Sequence, residues 1–484
     1  MTGRRRRALV GPALVLATLV SSIISSFGAP LIPTIARGFD ASLASAQWSL
    51  TVALLVGTVS SPVLGRLGDG PRRRATLLVS LGVVTVGGVV SAVAGCLGLL
   101  LVGRGLQGLG LGLAPLAMAI AREELPRSEV PSMIALLSVS SAAGLGAGYP
   151  ASGLIAGAWG LQGAYWFGAV VSVIALLCVA VVVPSSPKQS GPARLDWLGA
   201  LLLTPALVVV LVAVSEGSQW GWRSPAILGV LAAGAALFAA WIVQQLRAKA
   251  PLVQLRLLRH PAVRAGDACA LVLGAAMYMV LTGVTEFLQS PRSGGFAFSA
   301  SAVVAGLVLV PLSVLMVTSS RLLPILVARM GIRAVLSAGC FVAAAGCAFF
   351  AVFHVSLWQA FVMTGVLGIG LGATFAAIPG LIAQSVPARE TGSAIGFYQV
   401  LRFAGFSLGS ALTAAVLAAH HGRDDQPSEE GFTTVLWISA GICVLAVVLP
   451  WLMSGRSSRP ATGNHSADEE IRMLKQTEGD RISE

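Results

Sequence analysis

The sequence predicts an all-α membrane protein with fourteen transmembrane helices, and three observations predict it. Of its 484 residues 56% are hydrophobic and only 11% charged, whereas soluble domains carry about 25% charged residues. The apolar residues fall into long runs, each near the roughly 20 residues that a helix needs to cross a bilayer. The Lys and Arg residues fall between those runs, as membrane topology requires. The same figures exclude a disordered chain, which would be rich in charge and poor in apolar residues. A net charge of +12 in a soluble protein would suggest nucleic acid, but its placement between apolar runs points to the bilayer instead. Fifty-six glycines without a three-residue period suit close-packed membrane helices.

Taken in order, the spans read 9–34, 45–65, 75–95, 97–120, 130–157, 162–184, 195–215, 225–246, 263–289, 299–327, 333–352, 356–384, 391–419 and 431–453. The first follows Arg4–Arg7 and is too long for a signal peptide, with no small-residue cleavage site behind it. An even number of spans places both termini on one side. Assigning that side to the cytoplasm puts 26 of the 32 basic residues there; Arg37, Arg223, Arg292 and Arg423 fall outside, and Arg104 and Arg402 lie within spans. Such an excess fixes orientation by the positive-inside rule. Residues 1–8 then form a basic cytoplasmic segment, and 454–484 a polar, disordered cytoplasmic tail. The six cysteines sit in or beside apolar runs at no metal-ligand spacing and read as small buried hydrophobes.

An internal repeat divides the chain. The loop Gly65–Arg74 has a counterpart at Pro324–Arg333, shifted by 259 residues. GLGLG at Gly108–Gly112 matches GIGLG at Gly368–Gly372, and Glu129, Gly144 and Gly148 recur as Glu390, Gly405 and Gly409. Near-constant offsets imply two parallel six-helix halves, 9–184 and 263–453, with two helices inserted at 195–246. Parallel repeats are one plan of secondary transporters, with the site at the midplane between halves.

With these motifs in place, the sequence resembles the major facilitator superfamily, and within it the fourteen-helix drug:proton antiporter branch. The loop GRLGDGPRRR (Gly65–Arg74) is similar to the signature between the family's second and third helices, and LVGRGLQGLGLG to the branch's helix-four motif. GLGAGYPASG (Gly144–Gly153) resembles the antiporter motif of helix five, with Tyr149 where a Gly is usual. RLDWLGALLL at 194–203, EGSQWGW at 216–222 and PLVQLRLLR at 251–259 resemble the surroundings of the branch's two extra helices. The first span, SSIISSFGAPLIPTIA, lacks the acidic residue that many members carry. The resemblance implies export of amphipathic drugs or antibiotics across the plasma membrane, driven by protons through alternating access. The remaining readings are a facilitator or importer of a metabolite, and a receptor or scaffold on the same fold. It further implies a monomer in the lipid bilayer, without a cofactor.

Charged and polar residues inside spans are costly and mark functional sites by default. For conformational gating the candidates are Gly65, Asp69, Arg72, Arg73, Arg74, Arg104, Gln107, Gly108, Gly144, Gly148, Pro150 and Gly153. Asp69 can meet the positive N-terminus of another helix, a contact that breaks if the halves part. Arg104 reads as a gate or a hydrogen-bond hub. For proton coupling the candidates are Glu286, Asp267 and Arg402. The two acids lie 19 residues apart on the ninth span, too far for one site. Asp267 reads as an interfacial acid, which leaves Glu286 as the better cavity-facing candidate. Gln47, Trp48, Ser22, Ser26, Phe397, Tyr398 and Gln399 are candidates for lining a substrate cavity. The motif for binding nucleotide phosphates, GxxxxGK[ST], is absent and the five histidines are scattered, so neither ATP hydrolysis nor metal chemistry is indicated.

Overall fold

The computed structural model describes residues 3–27, 31–41, 43–184, 196–221, 224–249, 251–290, 298–387, 390–420 and 427–452. Its principal elements are helices α1 (Gly3–Ser26), α2 (Leu43–Gly68), α3 (Arg73–Ala92) and α4 (Leu97–Glu124). A run from Val130 to Val182 follows, which the backbone divides at Gly160 into α5 (130–159) and α6 (161–182). Then come α7 (Trp197–Trp220), α8 (Pro225–Arg247), α9 (Pro261–Gln289), α10 (Val310–Met330), α11 (Ile332–Val352), α12 (Leu357–Ser385), α13 (Thr391–Ala419) and α14 (Glu429–Leu452). The fourteen predicted spans therefore each fall on a helix. The tail 454–484 lies outside the described residues.

Breakers and caps set the ends. Helix α1 stops at Ser26, short of the predicted 34, and a separate short helix resumes at Ile32–Gly38; Gly28 and Pro30, both poor helix formers, lie between them. Between α5 and α6 the predicted loop shrinks to Gly160, at φ 73° and ψ 178°, which only glycine adopts freely. The tenth span is likewise two pieces, Ala302–Leu307 capped by Ser301, then α10 with proline in its first turn. Side chains cap three further starts: Asp196 for α7, Ser224 for α8, and Ser356 with Gln359 for α12. Each gives a helix-end N–H an acceptor that the helix itself cannot supply.

Glycines determine how the helices cross, and they do so twice. A Cβ on Gly144 of α5 would strike Ser22 of α1, and one on Gly405 or Gly409 of α13 would strike the backbone of α9. Likewise Gly108 and Gly112 of α4 bear on α2, while Gly368 and Gly372 of α12 bear on α10. The repeat seen in sequence thus corresponds to matched helix crossings in the two halves. Between the halves, α2 lies along α13, and α5 along α10 and α12. Helices α7 and α8 pack on each other, and α7 rests on α2 and α13.

Eleven helices among the described residues are long and apolar enough to span a bilayer, and Leu9–Ser25, Val130–Gly144 and Trp197–Val210 are shorter apolar helices. Large apolar side chains such as Val79, Val86, Leu177, Leu201 and Phe341 are exposed, a pattern that fits lipid contact and not water. Tryptophans 159, 197, 220, 358, 437 and 451 are exposed as well, most of them near helix ends, as in the aromatic belts of membrane proteins. The cysteines divide: Cys269, Cys340, Cys347 and Cys443 are buried as expected, whereas Cys178 is only partly buried and Cys96, one residue ahead of α4, is exposed.

A valine at Gly409 should drive α13 off α9, while a valine at Gly441, which faces open space, should be accommodated. Overpacking of this kind costs about 1–3 kcal/mol. The expected outcome in detergent is a clear drop in the thermal unfolding midpoint for Gly409→Val and none for Gly441→Val.

Candidate functional site

The candidate residues gather in three places, a seam at the basic end of the molecule, a polar cluster around Arg104 toward the opposite end, and another around Arg402 well inside α13. The seam joins α2 to α13. Gly65 and Gly392 approach so closely that a Cβ on either would strike the other's carbonyl, and Gly396 does the same against Ser61 and Pro62. This contact carries Asp69, just past the end of α2, to the start of α13. Its Oδ1 accepts the N–H of Gly392 at 2.7 Å and its Oδ2 the N–H of Ser393 at 2.9 Å. The residue ahead of α13, Glu390, makes no side-chain cap, so Asp69 caps α13 from another part of the chain. Both attractions, hydrogen bonding and the helix dipole, need the backbones to touch. Burial pushes the Asp69 carboxyl up to about 7, against the opposing pull of the two N–H donors and of Arg66 and Arg73.

The neighbouring arginines divide their work. Arg72 is exposed. Arg73 is buried, pairs with Glu123 at the end of α4, and donates to the Gly70 carbonyl at 3.2 Å. Arg74 donates to the Ala180 carbonyl of α6 at 2.7 Å. Arg122 of α4 crosses to the other half, donating to the Val386 carbonyl at 3.1 Å and to Thr391 Oγ1. Sequence reasoning missed Arg122, which stands outside the loop motif.

The inserted helices also reach this seam. Asp196 and Gln244 hold Gln245, whose Oε1 accepts the N–H of Val253 at 3.0 Å. The Leu252 carbonyl accepts Ser393 Oγ at 2.8 Å, and Gln254 donates to Glu390 at 2.7 Å. Segment 251–259 therefore straps the α7–α8 pair onto the same first turn of α13 that Asp69 caps. Phe397, expected in the cavity, instead stacks on Trp241 of α8 with ring centroids 6.4 Å apart. Helical periodicity could not distinguish a face turned to the midplane from one turned to the inserted pair.

Toward the end of the bundle opposite the seam, Arg104 is fully buried and fully engaged. Nη1 donates to the Ile24 carbonyl at 2.9 Å and to Gln107 Oε1 at 2.6 Å, Nη2 to the Ser25 carbonyl at 2.7 Å, and Nε to the Ser49 carbonyl at 3.1 Å. Ile24 and Ser25 are in the last turn of α1, where carbonyls lack helical partners and the dipole is negative. Just beyond Arg104 and Gln107, α4 tightens into a 3-10 turn at Leu109–Gly112. There Ser25 Oγ donates to the Gln107 carbonyl at 2.8 Å.

A second buried cation, Arg402 of α13, has far less. Its Nη2 donates to Ser141 Oγ of α5 at 3.2 Å, while Nε and Nη1 donate to no acceptor. Ser141 in turn lies 3.5 Å from Ser22 Oγ of α1. Tyr398 and Gln399, one turn away, are also fully buried, with both ends of the Gln399 amide unpartnered. The two acids differ in burial, and Asp267 is not at the interface where it was expected. Asp267 is 3% exposed with neither oxygen hydrogen-bonded, whereas Glu286 is exposed near the far end of α9. Asp267 fails to reach the interface because the surrounding face of α9 lies against Ile378 and Ile382 of α12, which neighbour Gly266.

Among the other candidates, Pro150 touches Gly306, Gly148 is buried, and Gly153 and Trp48 are partly buried. The side chains of Ser26, Gln47 and Tyr149 lie outside what the structure describes.

With this geometry in hand, comparison with known proteins is informative. A family model described as Major Facilitator Superfamily matches residues 14–410 and again 268–478. The "Tetracenomycin C resistance and export protein" of Streptomyces glaucescens is 27% identical, over 85% of this chain and 76% of that protein. The "Cephamycin export protein CmcT" of Amycolatopsis lactamdurans is 28% identical, over 95% of this chain and 96% of that protein. Among solved structures, the human organic anion transporter MFSD10 (TETRAN) superposes with a TM-score of 0.65 at 15% identity, covering 93% of this chain and all of that one. That likeness speaks to the fold alone.

The Asp69 cap has a pH dependence whose sign is fixed by its raised pKa. A carboxyl held near 7 when buried, and near 3.8 in water, makes the closed seam take up a proton. Stability of the closed form is thus greatest below about 3.8 and is lost as pH rises toward about 7. A thiol at Ser393, buried behind Asp69, should be labelled from the basic side increasingly over that range, relative to an exposed thiol at Arg72. In Asp69→Asn the ratio should be flat; a slope that persists there would place the titration elsewhere.

Proposed function

The chain belongs to the Major Facilitator Superfamily and is a membrane transporter, and from that premise we propose that it exports small amphipathic organic compounds, antibiotics among them, across the plasma membrane in exchange for protons. The two six-helix bundles, 9–184 and 263–453, rock about the midplane cluster, with both termini cytoplasmic. The observation that carries this reading is the seam: Asp69 of the first half caps α13 of the second through two backbone N–H groups. Such a contact holds when the helices meet and vanishes when they part, which is what alternating access asks of a gate. Arg122 on Val386 closes the same end, and the 251–259 strap adds the inserted helices to it. The helix-end bonds of Arg104 hold α1, α2 and α4 together as one body within the first half, so that the half moves as a unit. The names of the relatives supply the direction and the class of cargo.

Coupling to protons runs through Asp267. It is buried in the moving half, its oxygens are free of hydrogen bonds, and it interacts electrostatically with Tyr398. Protonation there neutralises a buried charge with no ion pair to break, and release follows when water reaches it. Glu286, already exposed, gains less from a change of access.

In proteoliposomes with an imposed pH gradient, Asp267→Asn should abolish uphill export while substrate counterflow, which needs no net proton movement, continues. Glu286→Gln should pump at nearly the wild-type rate. Uphill pumping by Asp267→Asn, or its loss in Glu286→Gln alone, would return the proton to Glu286.

A further inference from the structure

We propose that Arg402 and its surroundings form an occluded subsite for an organic anion, a carboxylate borne on a flat apolar or aromatic body. The proposal deepens the transport reading, on which it rests, by naming the cargo's charge. Its basis is the contrast between two buried arginines. Arg104 spends every one of its nitrogens on protein acceptors. Arg402 is equally buried, yet it has one hydrogen bond of good geometry, to Ser141, beside an electrostatic contact with Tyr398, and Nε and Nη1 donate to no acceptor. A guanidinium presents its donors as a rigid fork matched to a carboxylate. Nη2 bears two protons and Ser141 takes one, so one edge of the fork remains complete.

The surroundings suit the rest of such a molecule. Four rings, Phe375, Tyr398, Phe403 and Phe406, stand 5.5 to 5.8 Å from the guanidinium carbon. They offset part of the cost of the buried cation, and they offer flat apolar walls to an aromatic body. Gln399, one turn from Arg402 on the same side of α13, is fully buried with both its amide donor and its acceptor unused, and the Tyr398 side chain interacts with Arg402 and Ser138. Unmade hydrogen bonds on buried groups are expensive, and here they converge within one turn of a single helix. Asp267 acts electrostatically on Tyr398, and its oxygens make no hydrogen bond to Arg402. A cationic guest would meet an uncompensated positive charge. Because the bond to Ser141 crosses from α13 to α5, separation of the halves would also free the Nη2 donor and open the subsite.

Binding and flux separate this inference from the reading beneath it. The probes are 9-anthracenecarboxylate, its neutral amide, and the aromatic cation ethidium. Titration calorimetry on the purified wild type should show the carboxylate binding about tenfold or more tightly than the amide, with ethidium weakest. Arg402→Gln should lower carboxylate affinity to that of the amide while leaving the amide unchanged, and Arg402→Lys should fall between. Equal wild-type affinities for carboxylate and amide overturn the subsite, whether or not the variants fold. So does an Arg402→Gln protein that keeps the carboxylate preference, including one that loses only proton-driven flux. If the carboxylate binds as expected but no probe crosses proteoliposomes under any gradient, the subsite stands and the transport reading fails.

Discussion

A buried polar or charged side chain needs a partner, and in this chain the ends of helices supply it. Arg104 rests on the last carbonyls of α1, and Asp69 on the first N–H groups of α13. A helix end carries roughly half an elementary charge together with backbone groups that have no partner of their own. Each side chain therefore relieves a helix end while the helix end relieves the side chain. The charged hydrogen bonds of Arg104 are worth about 1.5–3 kcal/mol each, whereas those of Asp69 are set against the cost of burying its carboxylate, which pushes its pKa up to about 7. Side-chain ion pairs across the same interface would be strongly destabilising when one partner leaves.

The position of each contact decides what it can do. The bonds of Arg104 join α1, α2 and α4, elements of one half, and stiffen it. The bonds of Asp69 and Arg122 join different halves, so a relative motion must break them. Glycine crossings make both arrangements possible: Gly144, Gly405 and Gly409 bind helices within halves, whereas Gly65, Gly392 and Gly396 form the seam between them. Helices α7 and α8 are more than an appendage to this plan, since segment 251–259 ties them to the turn of α13 that Asp69 caps. Any opening of the seam must move or release that strap.

Much of this is legible in the sequence because hydropathy and glycine spacing are strong signals in membranes. Fourteen apolar runs became fourteen helices, and the near-constant offset between Gly144 and Gly405 became a pair of equivalent crossings. Asp69 and Arg104 stood out because charge is rare near the bilayer. What stayed hidden is rotation about the helix axis. Helix α9 is apolar almost all round and among the most buried of the spanning helices, so its sequence does not say which acid faces inward. Asp267, expected at the interface, is buried, and Glu286 is exposed. Phe397 turned toward Trp241 for the same reason. The break between α5 and α6 was legible too, though the loop expected at 158–161 is reduced to Gly160, since a tight reversal needs only one residue of positive φ.

The most direct test is whether the seam opens during turnover. Spin labels on Arg127, between α4 and α5, and on Arg329, near the end of α10, sit on exposed positions of opposite halves. Double electron–electron resonance in nanodiscs should give one short distance with the seam closed. A second, longer distance should grow in with transported substrate and as pH rises toward about 7, where Asp69 ionises. A single unchanged distance in protein that is actively transporting would contradict a gate built on Asp69 and α13.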